Sequence, residues 1–251
     1  MRRKNKGFHR PALDAWVQAA KNQDNPDKKI TGLLLPFSGM RVDEFCHLHG
    51  PTWFSWTDPT AGETSDGQVP KLKIPDNCPC HKGEGNESCN HCQEKGNDKF
   101  YTKYDDEREI PLIQTWRNWN RGEHDTYVEE ELNLRELCKS YFKVTPTDFG
   151  NEMIAGDGVS STTVNRWLKQ IAIDAEIGYE RGLITHCDFN REVPDVMPHD
   201  MRGTFIMQLI RNNMQRTKVI KYTGHDHVSS LGHYEERVAQ ETSAREFLDH
   251  I

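Results

Sequence analysis

A mainly α chain with one small β-sheet, an α+β fold, is what the sequence predicts. Three observations carry that expectation. Apolar residues recur at helical spacing through most of the second half of the chain. Short alternating segments gather between residues 50 and 110. Inside that region lies a polar stretch, residues 76–99, that is rich in cysteine and nearly devoid of large apolar side chains.

The elements follow in order. "PALDAWVQAA" reads as a short amphipathic helix from about Pro11, and "QDNPDKK" as a turn. "ITGLLLPFSGMRVDEFCHLH" reads as an apolar helix, a break at Ser38-Gly39, and a second helix starting near Arg41. "TDPTAGETSDGQVP" is loop, and "KLKIP" alternates as a strand does. "DNCPCHKGEGNESCNHCQEKGNDK" cannot build a core of its own. "FYTKYDDEREIPL" resumes a strand pattern around a polar turn, and residues 111–143 read as helical. In "STTVNRWLKQIAIDAEI" a Ser/Thr cap precedes Val164, Trp167, Leu168, Ile171 and Ala175, one face of a helix. "DMRGTFIMQLIRNN" turns Met201, Phe205, Leu209 and Ile210 inward. "TKVIKYTG" ends in Gly224 as a C-cap, and "LGHYEERVAQETSAREFLDHI" reads as a last helix.

A chain of 251 residues makes one large domain or two small ones. Its 35% hydrophobic content, with 6 Trp and 10 Phe, suffices for a real core. No stretch is apolar enough to span a bilayer, and "MRRKNKGFHRP" lacks the apolar segment of a signal peptide, so no membrane partner is expected and the reading is intracellular, cytoplasmic or nucleoid-associated. A net charge of -7 argues by itself against a nucleic-acid partner, but a basic site can sit on an acidic body.

Two short stretches crowd chemistry together. "PHDMRGTF" sets His199 and Arg202 three residues apart at a helix start, and "TGHDHVSSLGHY" sets His225 after a helix-ending glycine with Tyr234 nine residues on. Upstream, "SGMRVDEF" opens a helix with Arg41 beside a glycine hinge. Any one of these residues alone would be ordinary packing or surface. Together, arginines that fork onto phosphate oxygens, a hydroxyl nucleophile and histidines that move protons form a kit for phosphoryl transfer.

On these residues the sequence resembles the tyrosine recombinases, the phage-integrase class of DNA breaking-and-rejoining enzymes. "SGMRVDEF" resembles the first arginine box, with Arg41 catalytic and Glu44 its supporting acid. "TKYDDEREIPL" resembles the β-hairpin lysine segment, giving Lys103 eight residues before Pro111. "PHDMRGTF" is similar to the His-x-x-Arg box, giving His199 and Arg202, and "TGHDHVSSLGHY" to the Gly-His and nucleophile segment, giving His225 and Tyr234. The resemblance implies the catalytic-domain fold from residue 10 to the end, a 3′-phosphotyrosyl intermediate, no ATP and no catalytic metal. It also implies double-stranded DNA as partner, self-association on DNA as a tetramer, and a virus or other mobile element as host. Tyr222, Tyr101 and Tyr104 are rival nucleophiles that spacing disfavours. The chain departs from the pattern twice. Gly203 stands where the family often has a second histidine, and nothing before Arg41 is long enough for the family's N-terminal core-binding domain. Type IB topoisomerase activity and a catalytically inactive zinc-containing DNA-binding protein are the alternatives.

The insertion carries Cys78, Cys80, Cys89 and Cys92 as C-x-C and C-x-x-C. Four thiols in a segment without a core suit a structural zinc, with His81 or His91 able to replace one thiol of the tight C-x-C half. An acidic chain that grips DNA must gather its cations on one face. The candidates are Lys71, Lys73, Lys99, Arg108, Arg166, Lys169, Arg211 and Arg216.

Overall fold

The computed structural model describes residues 7–55, 71–80, 88–94, 96, 99–102, 107–111, 116–118, 130–142, 153–156, 158–179, 183–186, 189 and 191–249. Lys103, Tyr104, His81, Cys187, the stretch "TDPTAGETSDGQVP" expected to be loop and much of 111–130 lie outside them.

The first helix, α1 (Arg10–Lys21), is capped by His9, whose Nδ1 accepts from Ala12 N at 3.2 Å. The second, α2 (Pro26–Ser38), begins inside the stretch expected to be a turn. Asn25 Oδ1 accepts from Lys28 N at 2.9 Å and Pro26 takes the first helical position, two start signals that outweigh the turn reading. Ile30, Leu33, Leu34, Leu35 and Phe37 are all buried, so α2 is apolar on every side, as a central helix is. It packs against α1, against α6 (Leu134–Phe142), α7 (Ser161–Asp174) and α8 (Pro198–Arg211). Gly32 sets the closest approach: a β-carbon there would meet Ile171 Cδ1 at 2.6 Å and Ala20 Cβ at 2.9 Å, and Trp16 Nε1 donates to Gly32 O at 2.8 Å. The chain leaves α2 through Gly39 in the left-handed region (φ 61) and enters the five-residue α3 (Val42–Cys46), followed by α4 (Gly50–Trp53).

Three antiparallel strands form the largest sheet: β1 (Phe54–Ser55), β2 (Lys71–Ile74) and β5 (Arg108–Pro111), with Ile74 opposite Arg108. The insertion leaves this sheet after β2 and returns at β5. Within it, β3 (Asn77–Pro79) pairs with β4 (Lys99–Tyr101), and α5 (Asn90–Glu94) lies between them. β4 and β5, the described strands on either side of Lys103, therefore belong to different ladders, not to one hairpin.

The helical reading of residues 111–143 needs correction. β6 (Trp116–Asn118) pairs with β7 (Glu130–Leu132), and the helix α6 is confined to Leu134–Phe142. Glu and Leu favour helix as residues, but ladder pairing overrides so weak a preference. A second pair, β8 (Leu183–His186) with β9 (Arg191–Pro194), follows α7. The chain ends with α8, α9 (Arg216–Thr223), a 3-10 turn at Val228–Leu231 and α10 (Gly232–Asp249). Met201, Phe205 and Leu209 are buried as expected, and Ile210 is half-buried against the core.

Candidate active site

Four elements deliver the cationic cluster. Arg41 is the N-cap of α3, Arg202 lies on the second turn of α8, Arg108 begins β5, and His225 follows the αL glycine (Gly224, φ 58) that closes α9. Glu44 is the hub. Its Oε2 accepts from Arg41 N at 2.7 Å and from Arg108 Nη2 at 2.5 Å, and its Oε1 accepts from Arg41 Nη1 at 3.0 Å. Burial would raise the Glu44 pKa; Arg108 and then Arg41 override it and hold the carboxyl below its ordinary value.

Both box arginines also donate to backbone carbonyls. Arg202 Nη1 donates to Gly39 O at 2.7 Å, and its Nη2 donates to Thr223 O. Arg41 Nη2 donates to Gly224 O at 2.8 Å. These oxygens sit at the C-terminal ends of α2 and α9, where the helix dipole favours a cation. Carbonyls orient a guanidinium without cancelling its charge. Arg202 is 2% exposed. Burial and the nearby Arg41 and Arg108 push its pKa down, yet a guanidinium keeps its proton in proteins.

His225 is neutral. Burial first, then Arg202, Arg41, His199 and His233, push its pKa down to about 3. Its tautomer follows from Thr223. The Thr223 hydroxyl has one proton, which goes to Val219 O at 2.7 Å, since a carbonyl only accepts. The 2.7 Å contact between Thr223 Oγ1 and His225 Nδ1 is therefore donated by the imidazole, leaving the Nε2 lone pair free to take a proton. His199, on the first turn of α8, is exposed.

Tyr234 lies on the first turn of α10, 4% exposed, with its ring against His233. Burial raises its pKa, Arg202 lowers it and Asp200 raises it, with a net upward shift. Its rivals are placed differently: Tyr101 is 38% exposed, Tyr222 is half-buried, and Tyr104 is outside the described residues. Gly203 explains the missing second histidine. A β-carbon there would meet Gly7 N at 3.0 Å and Tyr234 Cε1 at 3.2 Å, because residue 7 crosses α8 backbone to backbone. Phe8 N pins that crossing by donating to Thr204 Oγ1 at 2.8 Å.

Arg108 and Lys169, read as surface cations from the sequence, are neither. Arg108 is 3% exposed and joins the Glu44 hub, because it falls on the inward side of β5, in register with buried Ile74. Lys169 is also 3% exposed, and its Nζ donates to Val196 O at 3.1 Å. Among the other candidates, Lys71 pairs with Glu109, Lys73 with Glu107, Arg211 with Glu241 and Arg216 with Glu235. Lys99 and Arg166 are exposed.

The thiols also assemble, with one substitution. The donor atoms of His47, Cys80, Cys89 and Cys92 lie within 4.8 Å of one another. His47, from the C-cap of α3, takes the place expected for Cys78. Cys78 sits in the β3–β4 ladder opposite Phe100 and outside this set, and burial raises its pKa to about 11, with Cys80 adding to the rise. The set can hold a metal ion. His47 escaped the sequence reading because it lies far from the insertion, and only its place in "CHLH" beside the arginine box marked it.

No protein-family model matches the chain, and a comparison with curated sequences finds no match. Solved structures do match. The XerA recombinase superposes with a TM-score of 0.54 at 13% identity, over 96% of this chain and 65% of that one. The Tn1549 transposon integrase, in complex with transposon right end DNA, gives 0.56 at 11% identity, over 96% and 66%. The XerH site-specific recombinase in its post-cleavage complex with palindromic difH gives 0.52 at 13%, over 96% and 54%. The fold is thus that of the tyrosine recombinases and integrases. More particularly, the chain spans just under two thirds of the XerA chain and of the Tn1549 integrase chain (residues 82–397 of that protein) that it matches. Among the described residues no helix is long and apolar enough to cross a membrane.

Proposed function

We propose that this chain cleaves and rejoins double-stranded DNA site-specifically, as a recombinase or integrase, through a 3′-phosphotyrosyl bond at Tyr234. The observation that carries the reading is the convergence of Arg41 and Arg202, from opposite ends of the sequence, on the two carbonyls that close α9. Arg202 keeps its charge next to the buried Tyr234. The Tyr234 oxygen attacks a backbone phosphorus in line, the bond to the 5′ oxygen breaks, and the tyrosine proton passes to His199. Arg41 and Arg202 hold the non-bridging oxygens. His225 joins them by taking a proton on Nε2 as the phosphate anion arrives and offsets the surrounding cations. Lys103 protonates the departing 5′ oxygen. A 5′-hydroxyl from another strand reverses the steps, and the phosphotyrosine conserves the bond energy, so neither ATP nor a catalytic metal enters. In the same reading residues 10–251 form the catalytic domain, with 76–99 an insertion holding a structural zinc, and copies of the chain assemble on DNA as a tetramer.

The test is a nicked suicide duplex that traps covalent protein. Wild-type chain should be captured and Tyr234→Phe should not; capture of the Phe variant would move the nucleophile elsewhere. Recombined rather than merely relaxed plasmid product then separates a recombinase from a topoisomerase.

A further inference from the structure

The metal-donor set is joined to the catalytic cluster through one short helix. His47 Nδ1 lies 2.7 Å from Asp43 O, and a carbonyl only accepts, so Nδ1 carries the proton and Nε2 the lone pair. That Nε2 is 3.6 Å from both Cys89 Sγ and Cys92 Sγ, about the edge of a tetrahedron around a zinc ion with bonds of about 2.0 to 2.3 Å. The imidazole plane is held by stacking on Phe100 at 4.2 Å and 12°. Cys89 N donates to Cys80 Sγ at 3.3 Å, which fixes the position of that sulfur. A histidine with its outer nitrogen already committed to a backbone carbonyl, facing three sulfurs, is built as a ligand and not as a packed core residue.

The same helix carries the arginine box. α3 has five residues, too few for a stable helix on its own, so it depends on what holds its two ends. Arg41 and Glu44 hold the N-terminal end through Arg108 of β5. At the C-terminal end His47 accounts for the Asp43 carbonyl, adjacent to Glu44. The three cysteines belong to the segment that leaves β2 and returns at β5, and Phe100 of β4 stands three residues before Lys103 in the sequence.

We propose that His47, Cys80, Cys89 and Cys92 bind one zinc ion that clasps α3 to the insertion, so that metal loading sets the position of Arg41 and Glu44 without touching DNA. Its bearing on catalysis rests on the recombinase reading; the clasp itself does not.

The test uses the full chain without DNA. Wild type and Cys78→Ser should each bind one zinc by elemental analysis, and each should give the visible spectrum of tetrahedral cobalt thiolate on substitution. His47→Gln should lose the bound metal or the tetrahedral spectrum, and His47→Cys should restore both. Chelation of the wild type should speed amide exchange in Val42–Cys46 and Lys99–Tyr101 while leaving α7 protected. Loss of metal in Cys78→Ser with retention in His47→Gln would overturn the ligand assignment. Unchanged exchange in Val42–Cys46 after complete metal removal would overturn the clasp. Failure of covalent DNA capture would sink the recombinase reading and leave both measurements standing.

Discussion

The cationic cluster and the thiol cluster are assembled by opposite means. Arg41, Arg108, Arg202 and His225 come from four elements spread along the chain, and helix packing around α2 brings them together before any ligand is present. Cys80, Cys89 and Cys92 come from one polar segment that has little apolar surface to bury, and the donor set is what gathers it. The first cluster derives its shape from the core and offers charge. The second has charge chemistry of its own but serves shape. The proposed catalytic site therefore takes most of its shape from the core, and in the proposed clasp the donor set ties only α3 to the insertion.

The sharpest way to break this comparison is to remove the nucleophile. Tyr234→Phe deletes one oxygen and should abolish covalent capture of a suicide duplex while leaving affinity, read by mobility shift, near wild type. If chelating the metal cuts capture as completely as Tyr234→Phe while amide exchange in Val42–Cys46 stays unchanged, the thiol cluster takes part in the chemistry and the division fails.

Next come the arginines. Arg41→Ala and Arg202→Ala should each slow single-turnover cleavage by at least about a hundredfold, the scale of one preorganised charge-stabilising group. Near-normal cleavage by either would remove that residue from the phosphate site. Glu44→Gln tests the hub that holds two of these cations. It leaves Arg108 buried beside a neutral amide and should cost on the order of 3–5 kcal/mol in urea unfolding, as breaking a buried pair does.

A smaller effect sharpens the electrostatics. His225 has a folded pKa of about 3 against an ordinary 6.5. Between those values the unfolded chain binds the extra proton, so its contribution is intact above pH 6.5 and is lost as pH falls toward 3. The melting temperature should drop across that window, and His225→Gln should make the drop shallower. Identical pH profiles for the two proteins would show that His225 titrates normally. The smallest effect concerns grip. Arg166 is exposed, so Arg166→Ala should flatten the salt dependence of DNA binding by about 0.9 per lost phosphate contact. Lys169→Ala should leave that slope alone and lower stability instead, because Lys169 is buried.

Much of the cationic cluster was legible because its members stand at chain landmarks. Arg41 follows a helix-ending glycine, Arg202 sits three residues past His199 behind a proline, and His225 follows another helix-ending glycine. Such punctuation is local, and a sequence displays it. Arg108, Lys169 and His47 were misread or missed for one shared reason. What each does depends on which side of its element faces the core, and on a partner far away: Glu44 for Arg108, Val196 for Lys169, the cysteines for His47. The periodicity around Arg108 was visible as alternation, but alternation does not say which face turns inward when a charged residue has a buried counter-ion. The β6–β7 pair was missed because Glu-rich segments favour helix until a partner strand is present.

One further consequence follows from where the insertion is spliced. It departs after Ile74 and returns at Arg108, residues that face each other across the β2–β5 ladder. The two splice points are thus already neighbours in the sheet, whatever lies between them. Lengthening a flexible connection between fixed neighbours costs only about 0.6 kcal/mol for each doubling. A lineage can therefore trim or exchange this knob over evolutionary time without re-solving the helical core, so long as the proposed hold on His47 is kept or replaced and the chain still returns to β5. The same arithmetic makes the splice a tolerant graft point for an engineer seeking to give this fold a different accessory module.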